Sequence, residues 1–423
     1  MLTRAMLACV LFLLVPLFAA AQSAASRAEF EERPLAVLVG EGSGGLPGFG
    51  YSVASAGDVD GDGTADLVVG APYEGAAHLG QVKVYSGRAG TLVLGPLSHP
   101  SGRLLGFSVA GIGDLDGDGH DDVLAGDPML GSVGPGGPGQ AFVFSGRDGS
   151  VLFHVLGDAA SDELGWAVAG AGDVDLDGVP DFAVGATSDH DLSTGPSYVR
   201  LYSGADASEL RTLSIGGAGR RFGQSLVDAG DVNGDGVPDL LAGASGGTGF
   251  VQMRSGADGA ILWHVSGPGV YSSFGWDVDV AGDVNGDGAQ DVVVGSPGAS
   301  FARILRASDG EFVADIMGPG GAFFAGAVAG LGDVNADGFA DLAFGAKWAG
   351  SPSHPFTGAT WIRSGADHAV LAAFAGVLSG DRGGFSLARL ADLDGDGVPD
   401  LAIGANQEGN GGPGYVRVYS GRH

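Results

Sequence analysis

Asp58-Val-Asp-Gly-Asp-Gly-Thr-Ala-Asp66 carries carboxylates at loop positions 1, 3, 5 and 9 and a glycine at position 6. Oxygen ligands that alternate along a short turn suit Ca²⁺, which accepts about six to eight oxygens at roughly 2.3–2.6 Å. The glycine permits the positive φ that a tight wrap around an ion requires. The stretch therefore predicts a metal-binding loop.

The same loop occurs six more times. These copies begin at Asp114, Asp173, Asp231, Asp283, Asp333 and Asp392. Consecutive loops begin 50 to 59 residues apart, and self-similarity at such a period is the signature of a repeat architecture. We therefore expect seven structural units in one array, rather than the two or three separate domains that 423 residues would otherwise allow.

Each repeat contains four short strand patterns. In the first repeat, strand patterns lie on both sides of the loop, and Gln81–Tyr85 and Thr91–Leu94 follow as a third and a fourth. The 82 glycines fit many short strands joined by tight turns, and small residues in the first strand suit the crowded axis of a propeller. The sequence predicts an all-β, seven-bladed β-propeller of four-stranded antiparallel blades. The first strands are predicted to start at Phe49, Leu105, Leu164, Phe222, Phe274, Phe324 and Gly383.

The ends of the chain predict how the ring closes. Leu35–Val39 has the position of a fourth strand with no blade before it, and the chain ends just after Tyr415–Tyr419, the third strand of blade seven. An N-terminal strand is therefore expected to complete blade seven, which removes an exposed sheet edge.

The first 21 residues have the order of a secretory signal. Arg4 precedes an apolar run, and Ala19-Ala-Ala21 offers small residues for cleavage after Ala21. The alternative is an uncleaved membrane anchor, although the run is shorter than the ~20 residues of a spanning helix. The expected organisation is a signal peptide at 1–21, a short segment at 22–33 and the propeller at 34–423. The protein is expected to be secreted, periplasmic or on the cell surface. No membrane span is expected in the mature chain. The only cysteine, Cys9, lies in the signal, so metal loops rather than disulfides would stabilise the mature fold.

Five positions of each loop are predicted to hold an ion: the side chains at 1, 3, 5 and 9 and the backbone carbonyl at 7. The predicted ligands, for up to seven structural Ca²⁺ ions, are Asp58, Asp60, Asp62, Thr64 and Asp66; Asp114, Asp116, Asp118, His120 and Asp122; Asp173, Asp175, Asp177, Val179 and Asp181; Asp231, Asn233, Asp235, Val237 and Asp239; Asp283, Asn285, Asp287, Ala289 and Asp291; Asp333, Asn335, Asp337, Phe339 and Asp341; and Asp392, Asp394, Asp396, Val398 and Asp400.

Two alternatives to a calcium loop of this type are an EF-hand-like loop and a turn that binds no ion. An EF-hand or dockerin requires glutamate at position 12 and flanking helices, whereas Val69 stands there inside a strand. An Asx-rich turn without an ion remains open, but four like charges in nine residues would repel one another. Asparagine at position 3 in blades four to six is expected to weaken those sites. Leu176 and Ala336 replace the position-4 glycine and are expected to strain their turns.

The repeat also resembles a known family. Phe49-Gly, the Asp-rich loop and Gly70-Ala-Pro72 are similar to the FG-GAP repeat of the integrin α-chain propeller and of secreted bacterial VCBS/FG-GAP proteins. Departures such as Phe324-Ala, Gly383-Gly and Gly126-Asp-Pro affect packing more than the metal. The resemblance implies a calcium-binding β-propeller in cell adhesion. The chain carries no stalk, membrane span or cytoplasmic tail of an integrin α subunit, so a signalling heterodimer is not expected.

No catalytic constellation emerges from the sequence, and we expect a binding protein rather than an enzyme. His154 and His264 recur at matching repeat positions, as structural residues would. Loop positions account for 25 of the 50 acidic residues, so the net charge of −30 reflects ion binding, and no basic patch supports nucleic-acid binding.

The expected function is an extracellular binding or adhesion module for a protein or glycan, acting as a monomer. The alternative is a propeller enzyme or lectin-like hydrolase that acts on extracellular polysaccharide in the axial channel. The connections between the second and third strands are long in blades six, seven, one, two and three and short in blades four and five. Because variable loops on a rigid scaffold often bind ligands, the long connections are the predicted ligand-binding region. The predicted ligand-binding residues are Tyr73, His190, Trp348, Phe356 and Asn406.

Overall fold

The computed structural model describes residues 34–41, 48–75, 79–130, 137–188, 196–215, 220–408 and 410–422. These residues form 28 β-strands and no helix, so they hold none that is long and apolar enough to cross a membrane. The strands are β1 Ala36–Val39, β2 Ser52–Gly57, β3 Asp66–Ala71, β4 Gln81–Tyr85, β5 Leu92–Leu97, β6 Ser108–Gly111, β7 Val123–Asp127, β8 Gln140–Phe144, β9 Val151–Leu156, β10 Leu164–Gly172, β11 Asp181–Ala186, β12 Tyr198–Tyr202, β13 Glu209–Ser214, β14 Phe222–Gly230, β15 Asp239–Ala244, β16 Phe250–Arg254, β17 Ile261–Ser266, β18 Val278–Gly282, β19 Asp291–Ser296, β20 Phe301–Arg306, β21 Phe312–Met317, β22 Phe324–Gly332, β23 Asp341–Ala346, β24 Ala359–Arg363, β25 Val370–Ala375, β26 Ser386–Arg389, β27 Leu401–Ala405 and β28 Tyr415–Tyr419.

The strands assemble into seven four-stranded antiparallel sheets. Blades one to six each take four consecutive strands, from β2–β5 to β22–β25, and blade seven has the order β1-β28-β27-β26. This confirms the predicted seven-bladed propeller. The predicted signal peptide and the segment 22–33 lie outside the described residues.

The N-terminal strand closes the ring as predicted. β1 pairs antiparallel with β28, from Ala36 opposite Val418 to Val39 opposite Tyr415. Leu38 is buried in the same hydrophobic cluster as Phe49 of blade one and Val416 of blade seven. The clasp therefore joins the last blade to the first through both backbone pairing and side-chain packing.

The hydrophobic core lies between the blades. Second strands such as β3, β15 and β23 are buried along their whole length, because both faces of each blade are covered by its neighbours. Seven clusters of buried side chains in the described parts of the chain each join two adjacent blades, including blades seven and one. Burial at these seven interfaces is the main stabilising term of the fold.

The Phe-Gly and Gly-Ala-Pro signatures meet at each interface. A Cβ added to Gly70 of blade one would lie 2.0 Å from the carbonyl oxygen of Gly106 in blade two, and one added to Gly404 of blade seven would lie 2.4 Å from that of Gly50 in blade one. Gly50 and Gly106 have φ of 78° and 86°, which turns their carbonyls toward the neighbouring blade. The two motifs are therefore the halves of one backbone-to-backbone contact between blades.

Four of the seven first strands begin later than predicted. β10, β14 and β22 begin at the predicted residues, whereas β2, β6, β18 and β26 begin three or four residues after them. In three of those four blades the predicted first residue pairs with the preceding blade instead: Phe49 with Gly414, Leu105 with Gly80 and Gly383 with Gly358. Leu164 makes the same bridge, with Gly139, and still begins β10, so pairing with the preceding blade accompanies the late starts without being sufficient for them.

Candidate metal loops and ligand-binding face

Aspartate side chains shape each Asp-rich loop by accepting hydrogen bonds from its own backbone. In blade two, Oδ1 of Asp114 accepts from the amides of Gly117 and Asp118 at 2.8 and 3.0 Å, and Oδ2 accepts from Gly119 at 2.8 Å. The Asp118 side chain accepts from the amide of His120 at 3.0 Å. The loop is therefore folded around its carboxylates, and the remaining lone pairs are available to an ion.

The aspartate at position 9 fastens each loop to its blade. Oδ2 of Asp122 accepts from the amide of Leu115 at 2.8 Å, and Oδ1 accepts from Gly146 in the turn after the third strand at 2.9 Å. Burial raises the pKa of Asp122 to about 6. Asp66 and Asp400 have the same arrangement, and burial raises the pKa of each to about 6 as well. These buried residues stabilise the loop even where they also contribute an oxygen to an ion.

Four loops bring three carboxylate oxygens within 4.8 Å of one another. These clusters are Asp58, Asp60 and Asp62; Asp114, Asp116 and Asp122; Asp173, Asp175 and Asp181; and Asp392, Asp394 and Asp396. They belong to blades one, two, three and seven, the blades with aspartate at position 3. Oδ1 of Asp58 is buried and has no hydrogen-bond partner. Converging carboxylates and an unpaired buried oxygen fit a hard divalent cation such as Ca²⁺.

The asparagine loops of blades four to six reduce their own charge repulsion. Nδ2 of Asn233 donates to the Asp235 carboxylate at 3.0 Å, and Nδ2 of Asn335 donates to Asp337 at 2.9 Å. In blade five, Nε of Arg306 lies 3.6 Å from the Asp287 carboxylate. In each of these three loops an amide donor or an arginine of the protein itself thus lies beside the position-5 carboxylate. These three loops therefore carry less unbalanced negative charge than the other four, although Oδ1 of Asp291 in blade five is, like Oδ1 of Asp58, buried without a hydrogen-bond partner.

Leu176 and Ala336 take the left-handed backbone that glycine takes in the other loops. Their φ values are 63° and 62°, whereas Gly61 and Gly117 have 75° and 73°. A side chain in this region costs about 1–2 kcal/mol. The expected strain in the loops of blades three and six is therefore present.

A cavity of about 740 Å³ lies between the innermost strands. Asp277 accepts from the Ser225 hydroxyl of blade four at 2.9 Å and from the Val328 amide of blade six at 2.9 Å. Asp279 accepts from the Gly330 amide at 3.0 Å. Burial raises the pKa of Asp277 to about 6 and that of Asp279 to about 7. The neighbouring Asp277 raises the pKa of Asp279 further, and Arg389 lowers it. These carboxylates connect blade five to blade four through the Ser225 hydroxyl and to blade six through backbone amides.

One side chain from each blade forms a collar at one mouth of this cavity. The collar consists of Tyr51, Phe107, Trp166, Gln224, Trp276, Phe323 and Phe385. Centroids of the Tyr51 and Phe107 rings are 4.8 Å apart, those of Phe107 and Trp166 5.0 Å, those of Tyr51 and Phe385 4.8 Å and those of Trp276 and Phe323 5.1 Å. Phe107, Trp166 and Gln224 also line the cavity.

The ammonium group of Lys347 fills the gap between the collar rings of blades five, six and seven. Its Nζ lies 4.5 Å from the Phe323 centroid, 4.7 Å from that of Phe385 and 5.5 Å from that of Trp276. Lys347 directly follows β23 on the connection of blade six, on the face opposite the Asp-rich loops. The collar and the long connections therefore share one face.

Three of the five predicted ligand-binding residues lie at this face. Tyr73 packs edge-on against Tyr51 with centroids 6.1 Å apart, and Trp348 packs on Phe323 at 4.6 Å and remains 44% exposed. Phe356 is 51% exposed. Asn406, by contrast, is fully buried, which removes its side chain from the surface where ligand contact was expected. His190 lies outside the described residues.

Known proteins share the repeat. A model described as "FG-GAP repeat" matches residues 49–85, 224–261 and 383–419, and one described as "FG-GAP-like repeat" matches residues 283–344. The chain therefore contains FG-GAP repeats, and it folds as a propeller. The matched residues run through blades one, four, five, six and seven and include Asp-rich loops of each.

This FG-GAP propeller is similar to integrin α chains. Integrin alpha pat-2 of Caenorhabditis elegans is 34% identical over 218 residues, which are 46% of this chain and 18% of the relative. Integrin alpha-V of Gallus gallus is 34% identical over 209 residues, 47% of this chain and 20% of the relative. Integrin alpha-6 of Gallus gallus is 35% identical over 156 residues, 33% of this chain and 14% of the relative. The chain thus spans about a fifth or less of the length of these relatives.

Sequence reasoning missed the collar of the FG-GAP propeller, although a signal was present. The residue two places after the predicted strand start is aromatic in five repeats: Tyr51, Phe107, Trp166, Trp276 and Phe385. Blade six has Gly326 at this repeat position, and the Phe323 ring fills the space that an aromatic side chain occupies in the other blades. A Cβ at Gly326 would lie 2.4 Å from that ring. Alignment of the seven repeats at this position would have revealed a ring around the axis.

Proposed function

We propose that this chain is a secreted, calcium-stabilised FG-GAP propeller that acts as an extracellular binding or adhesion module for a protein or glycan ligand. The observation that carries the proposal is the face formed by the collar and the long connections. It presents the exposed Trp348 and Phe356 beside packed aromatic rings. Exposed aromatic side chains on a rigid scaffold are typical of recognition surfaces.

Export is part of the same proposal. Residues 1–21 would be removed as a signal peptide, and 34–423 would form the mature propeller after the short segment 22–33. The names of the similar proteins, integrin α chains, support a place at the cell surface or outside the cell. Intact-mass analysis of the exported protein tests this step, and a mature chain that begins before Gln22 would contradict it.

The calcium part rests on the four carboxylate clusters. Ca²⁺ would supply positive charge between the clustered aspartate oxygens, which otherwise repel one another; these are positions 1, 3 and 5 in blades one and seven and positions 1, 3 and 9 in blades two and three. An ion present at about 100 times its dissociation constant stabilises the folded state by about 2.7 kcal/mol, so four ions give about 11 kcal/mol. Addition of EGTA should lower the midpoint of thermal unfolding by about 10 °C or more. An unchanged midpoint would contradict structural calcium.

The binding part is tested with arrays of glycans and purified extracellular matrix proteins. The first variant replaces Trp348 with alanine, and the second shortens 347–357 to the length of the equivalent blade-four connection. Both should lose binding and retain calcium-dependent melting. Tyr271→Ala is the matched control, because Tyr271 is 86% exposed on the same face in blade five, outside the predicted sector. Binding that survives both variants and is lost in the control would refute the assignment.

The hydrolase alternative has less support in the channel. Asp277 and Asp279 accept backbone amides of blade six, so their geometry favours a tie between blades over acid–base chemistry. Incubation with a panel of polysaccharides, with and without Ca²⁺, separates the two functions. Turnover that depends on Asp279 would replace the binding proposal with the hydrolase.

A further inference from the structure

The chain contains two lysines, Lys83 and Lys347, and the structure places them in opposite surroundings. Nζ of Lys83 donates to the Glu74 carboxylate at 3.0 Å, and Glu41 lies 4.0 Å away. Lys83 is 1% exposed. It is thus a buried lysine with its charge neutralised by carboxylates.

Lys347 has aromatic rings where Lys83 has carboxylates. Phe323, Phe385 and Trp276 surround its Nζ at 4.5 to 5.5 Å from their centroids, and Trp348 adds a fourth ring at 5.9 Å. Within the described parts of the chain, no carboxylate forms an ion pair with this amine and no acceptor takes a hydrogen bond from it. The nearby Arg382 is paired with Glu408.

The rings around Lys347 and the strand that precedes it hold the amine in a fixed place. Lys347 follows the fully buried strand β23, and the amide of Trp348 donates to the carbonyl of Ala322 at 3.0 Å. The Phe323 ring packs on Trp276 and Trp348, with centroids 5.1 and 4.6 Å apart, which holds it in place. The amine therefore stands among the collar rings of blades five, six and seven, on the face with the exposed Trp348 side chain.

We propose that Lys347 is a covalent binding site for aldehydes and ketones, which it captures reversibly as imines. The amine nitrogen attacks the carbonyl carbon, a C–N bond forms, and the carbonyl oxygen leaves as water with both amine hydrogens. Hydrolysis reverses the step, and neither direction needs an oxidant or a reductant. Lysines desolvated in apolar pockets are activated toward carbonyl compounds in this way. This site goes beyond the proposed ligand-binding role and does not depend on it.

The surroundings favour both the reaction and a class of ligand. Burial lowers the pKa of Lys347 from 10.5 to about 8; Arg382 lowers it further and Glu408 raises it, and a sizeable fraction of the amine is neutral in mildly alkaline solution. Four aromatic rings around the nitrogen offer apolar surface to the body of the ligand. Carbonyl compounds with an aromatic or apolar body should therefore react better than small polar ones.

The test treats the calcium-loaded protein with benzaldehyde and sodium cyanoborohydride, which reduces an imine to a stable benzylamine. Peptide mapping by mass spectrometry then measures the extent of benzylation at both lysines in one sample. We expect a benzyl adduct on Lys347, a labelling rate that rises with a midpoint near its pKa of about 8, and none on Lys83. In the urea-unfolded chain, both lysines should react equally and more slowly than native Lys347 at neutral pH.

Two variants separate reactivity from structure. Lys347→Arg keeps a cation over the rings, so it should retain calcium-dependent melting and lose the adduct. Phe385→Leu removes one ring and should slow labelling by benzaldehyde more than labelling by formaldehyde. The proposal is overturned if native Lys347 reacts no faster than in the unfolded chain, or if Lys83 labels at the same rate. The wild-type comparison alone decides this, even if a variant does not fold.

Discussion

The clasp strand β1 offers a test of ring closure with a built-in control. Leu38 is 7% exposed and shares a cluster with Phe49 and Val416, whereas its neighbours Val37 and Val39 are 51% and 57% exposed. The perturbation is Leu38→Ala, with Val37→Ala on the opposite face of the same strand as control. Both changes leave the backbone pairing with β28 in place.

The expected magnitude follows from burial. Truncation of a buried leucine to alanine costs about 2–5 kcal/mol. An unfolding entropy of about 2.1 cal/mol/K per residue gives about 0.8 kcal/mol/K for a propeller of roughly 390 residues, so a loss of about 3 kcal/mol lowers the midpoint by about 4 °C. Val37→Ala should change stability by no more than about 0.5 kcal/mol, which is under 1 °C.

Calorimetry at saturating Ca²⁺ measures both variants, and size-exclusion chromatography with light scattering measures a third that lacks residues 34–39. That deletion exposes the edge of β28, so we expect oligomers. Equal midpoints for Leu38→Ala and Val37→Ala would refute the packing of the clasp. A monomeric deletion variant with an unchanged midpoint would refute closure by β1 altogether.

Three further predictions concern the interfaces, the loops and the channel. Gly70→Ala should destabilise the protein by about 2–3 kcal/mol in urea unfolding, because its Cβ would meet the Gly106 carbonyl oxygen at 2.0 Å; a neutral effect would contradict the role given to the Gly-Ala-Pro glycine. Leu176→Gly should raise the calorimetric midpoint by about 1 °C, since it relieves left-handed strain and Leu176 is 65% exposed; a lower midpoint would show that the leucine packs usefully. Burial raises the pKa of Asp279 from 3.8 to about 7, so the folded state retains a proton that the unfolded state releases, and stability falls as pH rises between these values. Asp279→Asn should therefore gain stability over the wild type at about pH 8 and little at about pH 5, and an equal gain at both would contradict the shifted pKa.

Repeated local patterns made the architecture predictable. The spacing of the loops gave the seven blades, and the unmatched strand pattern before Phe49 gave the clasp, because both depend on counting along the chain. Strand starts were less accurate: Phe49 and Leu105 pair with the preceding blade, whereas Leu164 pairs both with the preceding blade and within its own. Periodicity within a repeat cannot distinguish these two kinds of pairing.

Features that depend on contacts between repeats were not predictable in the same way. The collar arises because side chains from all seven blades converge on the axis, and Phe323 enters it from a different repeat position than Tyr51. Asn406 appeared polar and accessible in the sequence, yet the fold buries it. Lys347 gave no local signal, because its surroundings come from blades five, six and seven.

Hydrogen exchange of the backbone amides, compared by mass spectrometry in Ca²⁺ and in EGTA, measures which blades are stabilised by an ion. Blades one, two, three and seven gather three carboxylates, whereas Asn233 and Asn335 place an amide donor, and Arg306 a cation, beside the position-5 carboxylates of blades four to six. We predict that EGTA raises exchange in the loops and second strands of blades seven, one, two and three, and changes exchange in blades four to six much less. Exchange that is the same with and without Ca²⁺ in all seven blades would contradict a calcium-stabilised propeller.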